Sequence, residues 1–105
     1  MTEVKIFFAD KDPKGFEISG HSSSNCNDEV GKTVCAAVSS AAYMAVNTVT
    51  EIIGDKLSAE VEDGFMSVTS NGLSKSSVYV LKGFVLHIKE LSEQYPDKIR
   101  IISEV

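Results

Sequence analysis

No stretch of this 105-residue chain approaches the roughly 18 consecutive apolar residues that a membrane span requires. At the amino end, "MTEVKIFFADKDPKG", the apolar run between Lys5 and Asp10 is four residues long, too short for the core of a secretion signal. A cytoplasmic protein that keeps off membranes is therefore expected. Basic residues are in the minority, 10 Lys and Arg against 15 Asp and Glu, for a net charge of -5. Phosphate contacts need a basic surface, so direct nucleic-acid binding is disfavoured, while a basic peptide partner is compatible. Two prolines and seven glycines are too few for a disordered or collagen-like chain. The two cysteines, Cys26 and Cys35, in a cytosolic protein read as reduced thiols rather than a structural bridge, with a regulatory disulfide between them as the lesser alternative. Their spacing is not the C-x-x-C of thioredoxin-like proteins, which disfavours a thiol redox protein. What is left is one domain over residues 1–105, with 43% apolar residues and enough length for a single core.

Hydrophobic periodicity then gives the elements. Val4, Ile6 and Phe8 alternate with Lys5, Phe7 and Ala9, the period of a strand with one face on a core. "DKDPKG" at 10–15 supplies turn residues and "FEISG" at 16–20 a second strand. From Thr33 to about Ile53 the period becomes helical, with Val34, Val38, Ala41, Ala45, Thr48 and Ile52 on one stripe, and Gly54 suited to end it. Leu57, Ala59 and Val61 alternate before Asp63-Gly64, a hairpin signal, and the run resumes through Thr69. Leu81, Phe84, Val85, Ile88 and Leu91 predict a second helix over 77–95, stopped by Pro96, and "IRIISEV" a last strand. The order β-β-α-β-β-α-β makes a two-layer α+β sandwich, a mainly antiparallel sheet with two helices on one face.

Between the second strand and the first helix lies "HSSSNCNDEVGK", a long polar connection of the kind that is often functional. It joins His21 to Cys35. With Thr33 as N-cap, Cys35 would be the second helical residue, where unpaired N–H groups and the helix dipole favour a thiolate and could hold an oxyanion. His21, with an ordinary pKa near 6.5, could take the thiol proton and return one to a leaving amine. The plain alternatives are a core cysteine and a solvated turn histidine. Ser39, one helical turn beyond Cys35, could hold the thiol or the histidine, or bond back to its own helix. Asp28 and Glu29 could orient His21 or simply be solvated. His87 reads as a helix-edge residue. A zinc site from His21, Cys26, Cys35 and His87 lacks the paired short spacings of structural sites, so neither metal nor cofactor is expected.

"ISGH" at 18–21, "VCAAVSS" at 34–40, "VN" at 46–47 and "LKELSEQYPDKIRI" at the carboxyl end resemble the ribosomal-processing cysteine proteases, small bacterial α+β proteins, over nearly the whole chain. The resemblance implies a dimeric endopeptidase that removes the amino-terminal extension of a large-subunit ribosomal protein, with His21 and Cys35 as its dyad and Gly20 and Ser39 in supporting or oxyanion roles. Many members carry an aspartate where this chain has Lys32, three residues before the cysteine. With His21 fixed by the sheet and Cys35 by the helix, Ser22, Ser23, Ser24 and Asn25 would belong to a substrate lid. The alternative is a non-catalytic peptide-binding or ribosome-assembly module using the same cleft. The small and apolar residues of the first helix, Ala37, Ala41, Met44, Ala45, Thr48 and Ile52, predict a homodimer.

Overall fold

Thr2, Val4 and Ile6 point to one side of the first strand and are buried, while Glu3, Lys5 and Phe7 on the other side are half-exposed, so the period of two begins at the very start of β1 (Thr2–Ala9). The structure, a computed structural model, describes residues 1–20 and 28–104. β2 (Asp12–Ser19) pairs antiparallel with β1 from Glu3↔Ser19 to Ala9↔Asp12. The turn between them is tighter than the six residues expected. It consists of Asp10, at a φ of 59° that aspartate tolerates, and Lys11. Pro13 belongs to the strand because the register slips between Phe7 and Phe8, and such a bulge accommodates a residue without an N–H.

α1 (Glu29–Asn47) runs on into a π-helical turn (Thr48–Ile53). Gly54, at φ 93°, stops it by donating its N–H to the Val49 carbonyl at 2.9 Å. The continuous helix Glu29–Ile53 has the length and composition to cross a membrane. Here Val34, Val38, Ala42, Ala45 and Val49 are buried within the domain. Ile52, placed on the buried stripe by periodicity, is 80% exposed, since the wider π turn rotates the end of the helix out of step with a 3.6-residue repeat.

β3 (Ser58–Glu62) and β4 (Phe65–Thr69) form the second hairpin. α2 (Lys75–Gln94) follows, N-capped by Ser74, and β5 (Ile99–Glu104) closes the chain. The five strands make one mixed sheet in the order β3-β4-β2-β1-β5, antiparallel except for β1 with β5. Both helices share the core with one face of it: Val4, Ile6, Phe16, Ile18, Met66, Val68 and Ile99 from the sheet meet Val34, Val38, Leu81, Phe84 and Ile88 from the helices. The rings of Phe16 and Phe84 stack at 4.4 Å. β3 contributes nothing to this core. Its Ala59 and Val61 are exposed despite their alternation, because the strand lies at the sheet edge.

Candidate active site

The register of β1 against β2 brings the important chain ends together. β2 finishes opposite Glu3, so Gly20, to which His21 is bonded, lies beside Met1 and Thr2. Gly20 has φ 77°, and a Cβ there would stand 2.4 Å from the Met1 carbonyl oxygen. Only glycine fits both demands without displacing β1. Its N–H is donated to the Gly64 carbonyl at 3.0 Å. What the structure requires of Gly20 is conformational, and its N–H is already used rather than offered to an oxyanion.

Cys35 reaches the same end of the sheet from α1. The helix begins six residues before it, with Asp28 as N-cap rather than Thr33. The Asp28 carboxylate accepts from the Gly31 N–H and also pairs with Lys98 Nζ at 3.0 Å. Both contacts hold its pKa below the ordinary aspartate value, the Gly31 hydrogen bond most of all. Asp28 won because a β-region aspartate satisfies an otherwise unpaired N–H of the first turn. Thr33 instead bonds back to the Glu29 carbonyl at 3.0 Å. Cys35 thus sits in the second turn, past the unpaired N–H groups and where the dipole has faded. The oxyanion site expected from the helix end is not available at Cys35.

What does surround the sulfur is a small cavity of about 170 Å³ lined by residues that include Thr2, Asp28, Gly31, Asp97 and Lys98. The Thr2 hydroxyl lies 3.7 Å from Cys35 Sγ. Thr2 and Lys98 were missed in the sequence. Thr2 was legible, since it continues the buried alternation of Val4 and Ile6, whereas Lys98 reaches the site only because β5 pairs with β1 from Thr2↔Ile99 onward. In this structure Cys35 is disulfide-bonded, against the expectation of a reduced thiol. That expectation rested on the usual redox state of the compartment, which does not constrain the geometry of the chain. His21, Ser22, Ser23, Ser24, Asn25 and Cys26 lie outside the described residues. Ser39 is half-buried one turn beyond Cys35, and His87 is exposed on α2.

The family model described as cysteine protease Prp matches residues 1–100. The chain belongs to the cysteine protease Prp family. It is an enzyme of the cysteine-protease class, and its fold is that of solved Prp structures. The ribosomal processing protease Prp from S. aureus, in complex with a substrate peptide, superposes with a TM-score of 0.89 at 17% identity, covering 99% of this chain and 100% of that one. The same S. aureus protease with a covalently linked product peptide gives 0.83 at 18%, with 99% and 100% covered. SMU.848 from Streptococcus mutans gives 0.88 at 19%, with 99% and 94% covered. No curated protein matches the chain. Within this fold, Cys35 on α1 and Gly20 at the end of β2 lie on either side of the start of β1.

Proposed function

We propose that this Prp-family chain is an endopeptidase that removes the amino-terminal extension of a large-subunit ribosomal protein in the cytoplasm, using Cys35 and His21 as a dyad. The observation that carries the reading is the meeting of two motifs at one strand end. Cys35 touches Thr2, and Gly20, the residue bonded to His21, packs against Met1 and Thr2. The reaction needs Cys35 reduced. Its thiolate attacks the scissile carbonyl carbon, forming the S–C bond, while the thiol proton goes to His21. The tetrahedral intermediate collapses as the C–N bond breaks and the imidazolium returns the proton to the leaving amine. Water activated by His21 then releases the acid and regenerates the thiol.

Ser39 supports the site from the turn beyond Cys35. Ser22 to Asn25 act as the substrate lid, a role that rests on their composition. The Asp28 carboxylate is engaged by Gly31 and Lys98, and in that way fixes the start of α1. A homodimer is proposed on the outer face of the two helices. There an apolar groove of about 720 Å³ runs past Ala37, Ala41, Met44, Thr48 and Tyr79, with Met44 and Tyr79 more than half exposed.

The test is incubation of the reduced protein with the host's precursor ribosomal protein, read by mass spectrometry. Wild type should shorten the precursor at one position, and folded Cys35→Ser and His21→Ala should leave it intact. Binding without shortening by wild type would overturn the protease reading in favour of a peptide-binding or assembly module.

A further inference from the structure

Thr2 is an unusual choice for the first residue of a strand whose inward face is otherwise Val4 and Ile6. It is 2% exposed and stands on the wall of the small cavity beside Cys35. Among the described residues, the contact recorded for that hydroxyl is Cys35 Sγ, 33 positions away in sequence, at 3.7 Å, an ordinary length for a bond to the large sulfur atom. The backbone leaves the threonine little freedom. Its N–H is donated to the Lys98 carbonyl at 2.8 Å, and the residue is paired with Ile99 across the β1–β5 ladder. A sulfur that is a thiolate or part of a disulfide has no proton to give, so the hydroxyl must be the donor.

We infer that Thr2 is a positioning residue for the Cys35 nucleophile, its buried hydroxyl donating a hydrogen bond that holds the sulfur at the strand end and favours the thiolate. The inference rests on the proposed role of Cys35. A donor aimed at the charged form of a group lowers the pKa of that group. In a site where α1 supplies little dipole to Cys35, this bond is a local source of such stabilisation. The charged side chains around the shared cavity are Asp28, Asp97 and Lys98. Lys32 lies three residues earlier on the same helix, and none of the four is altered by changing Thr2.

The test is the rate of Cys35 alkylation by iodoacetamide against pH in fully reduced protein, resolved from Cys26 by peptide mapping. The readout does not depend on cleavage, so a failed protease assay leaves it interpretable. Thr2→Val keeps the branched shape and removes the hydroxyl. It should raise the apparent pKa of Cys35 by about one unit and lower peptide turnover near neutral pH about tenfold, while Thr2→Ser should restore the wild-type profile. Thr2→Ala should show the same shift as Thr2→Val and serves if the valine variant misfolds. A folded Val or Ala variant with the wild-type alkylation profile would overturn the inference. So would a serine variant shifted as far as the valine one, which would mark a packing effect.

Discussion

Replacing Gly20 by alanine loads two separate penalties on one methyl group. At φ 77° an L residue costs about 1–2 kcal/mol relative to glycine. The added Cβ would also meet the Met1 carbonyl oxygen at 2.4 Å. That contact is backbone against backbone, and relieving it means moving the start of β1, an overpacking cost of about 1–3 kcal/mol. The sum is about 2–5 kcal/mol. For a domain of this size it lowers the melting temperature by on the order of 10–25 °C. Gly54 is the internal control: its φ is 93°, but nothing lies within 4 Å of its Cβ position. Gly54→Ala should therefore show the conformational cost alone, about 5–10 °C. Thermal unfolding of both variants in the same reductant separates the two contributions. At a temperature where both are folded, Gly20→Ala should also lose most of its peptide turnover, because the displaced strand carries Thr2 past Cys35, while Gly54→Ala should keep it. Equal melting temperatures for the two variants would refute the argument from the Met1 contact.

Three further outcomes follow from the structure. Because Cys35 is disulfide-bonded and a disulfide sulfur is no nucleophile, protein purified without reductant should be silent and recover cleavage on reduction; full cleavage by unreduced wild type would contradict this. The Asp55 carboxylate accepts from the Ser77 hydroxyl at 2.6 Å and from the Ser74 hydroxyl and N–H at 2.7 and 2.8 Å, and these bonds, Ser77 first, hold its pKa below the ordinary aspartate value. A folded pKa below the unfolded one gives stability that is complete above the unfolded pKa and lost as pH falls through the folded one. Urea unfolding from pH 7 to pH 3 should thus show a shallower acid decline for Asp55→Asn than for wild type, though Asp28 leaves part of the decline in place; identical slopes would remove Asp55 as a contributor. Light scattering at micromolar concentration should return a dimer for wild type and a monomer for Met44→Glu, and a monomeric wild type would refute the proposed helix-face interface.

The order of elements was legible because it depends on short-range periodicity. Alternation marked the hairpin strands, Asp63-Gly64 the second turn, and the spacing from Leu81 to Leu91 the second helix. The errors came where a local signal had a rival. Thr33 and Asp28 are both good N-caps by composition, and the choice fell to Asp28, whose carboxylate also meets Lys98, 70 residues away. Pro13 reads as a turn residue until the bulge opposite Phe7 and Phe8 shows how a strand can hold it.

The strands, the helices and the motif residues Gly20, His21, Cys35 and Ser39 could be read along the chain, since propensity, periodicity and side-chain chemistry act over a few neighbouring positions. The surroundings of Cys35 came from the packing of distant segments. The parallel pairing of β1 with β5 and the docking of α1 bring Thr2, Asp28 and Lys98 around one small cavity, and that proximity depends on strand register and helix packing between segments far apart in the chain. The same packing left Ile52 and Val61 in solvent, because an apolar residue is buried only where another element arrives to cover it.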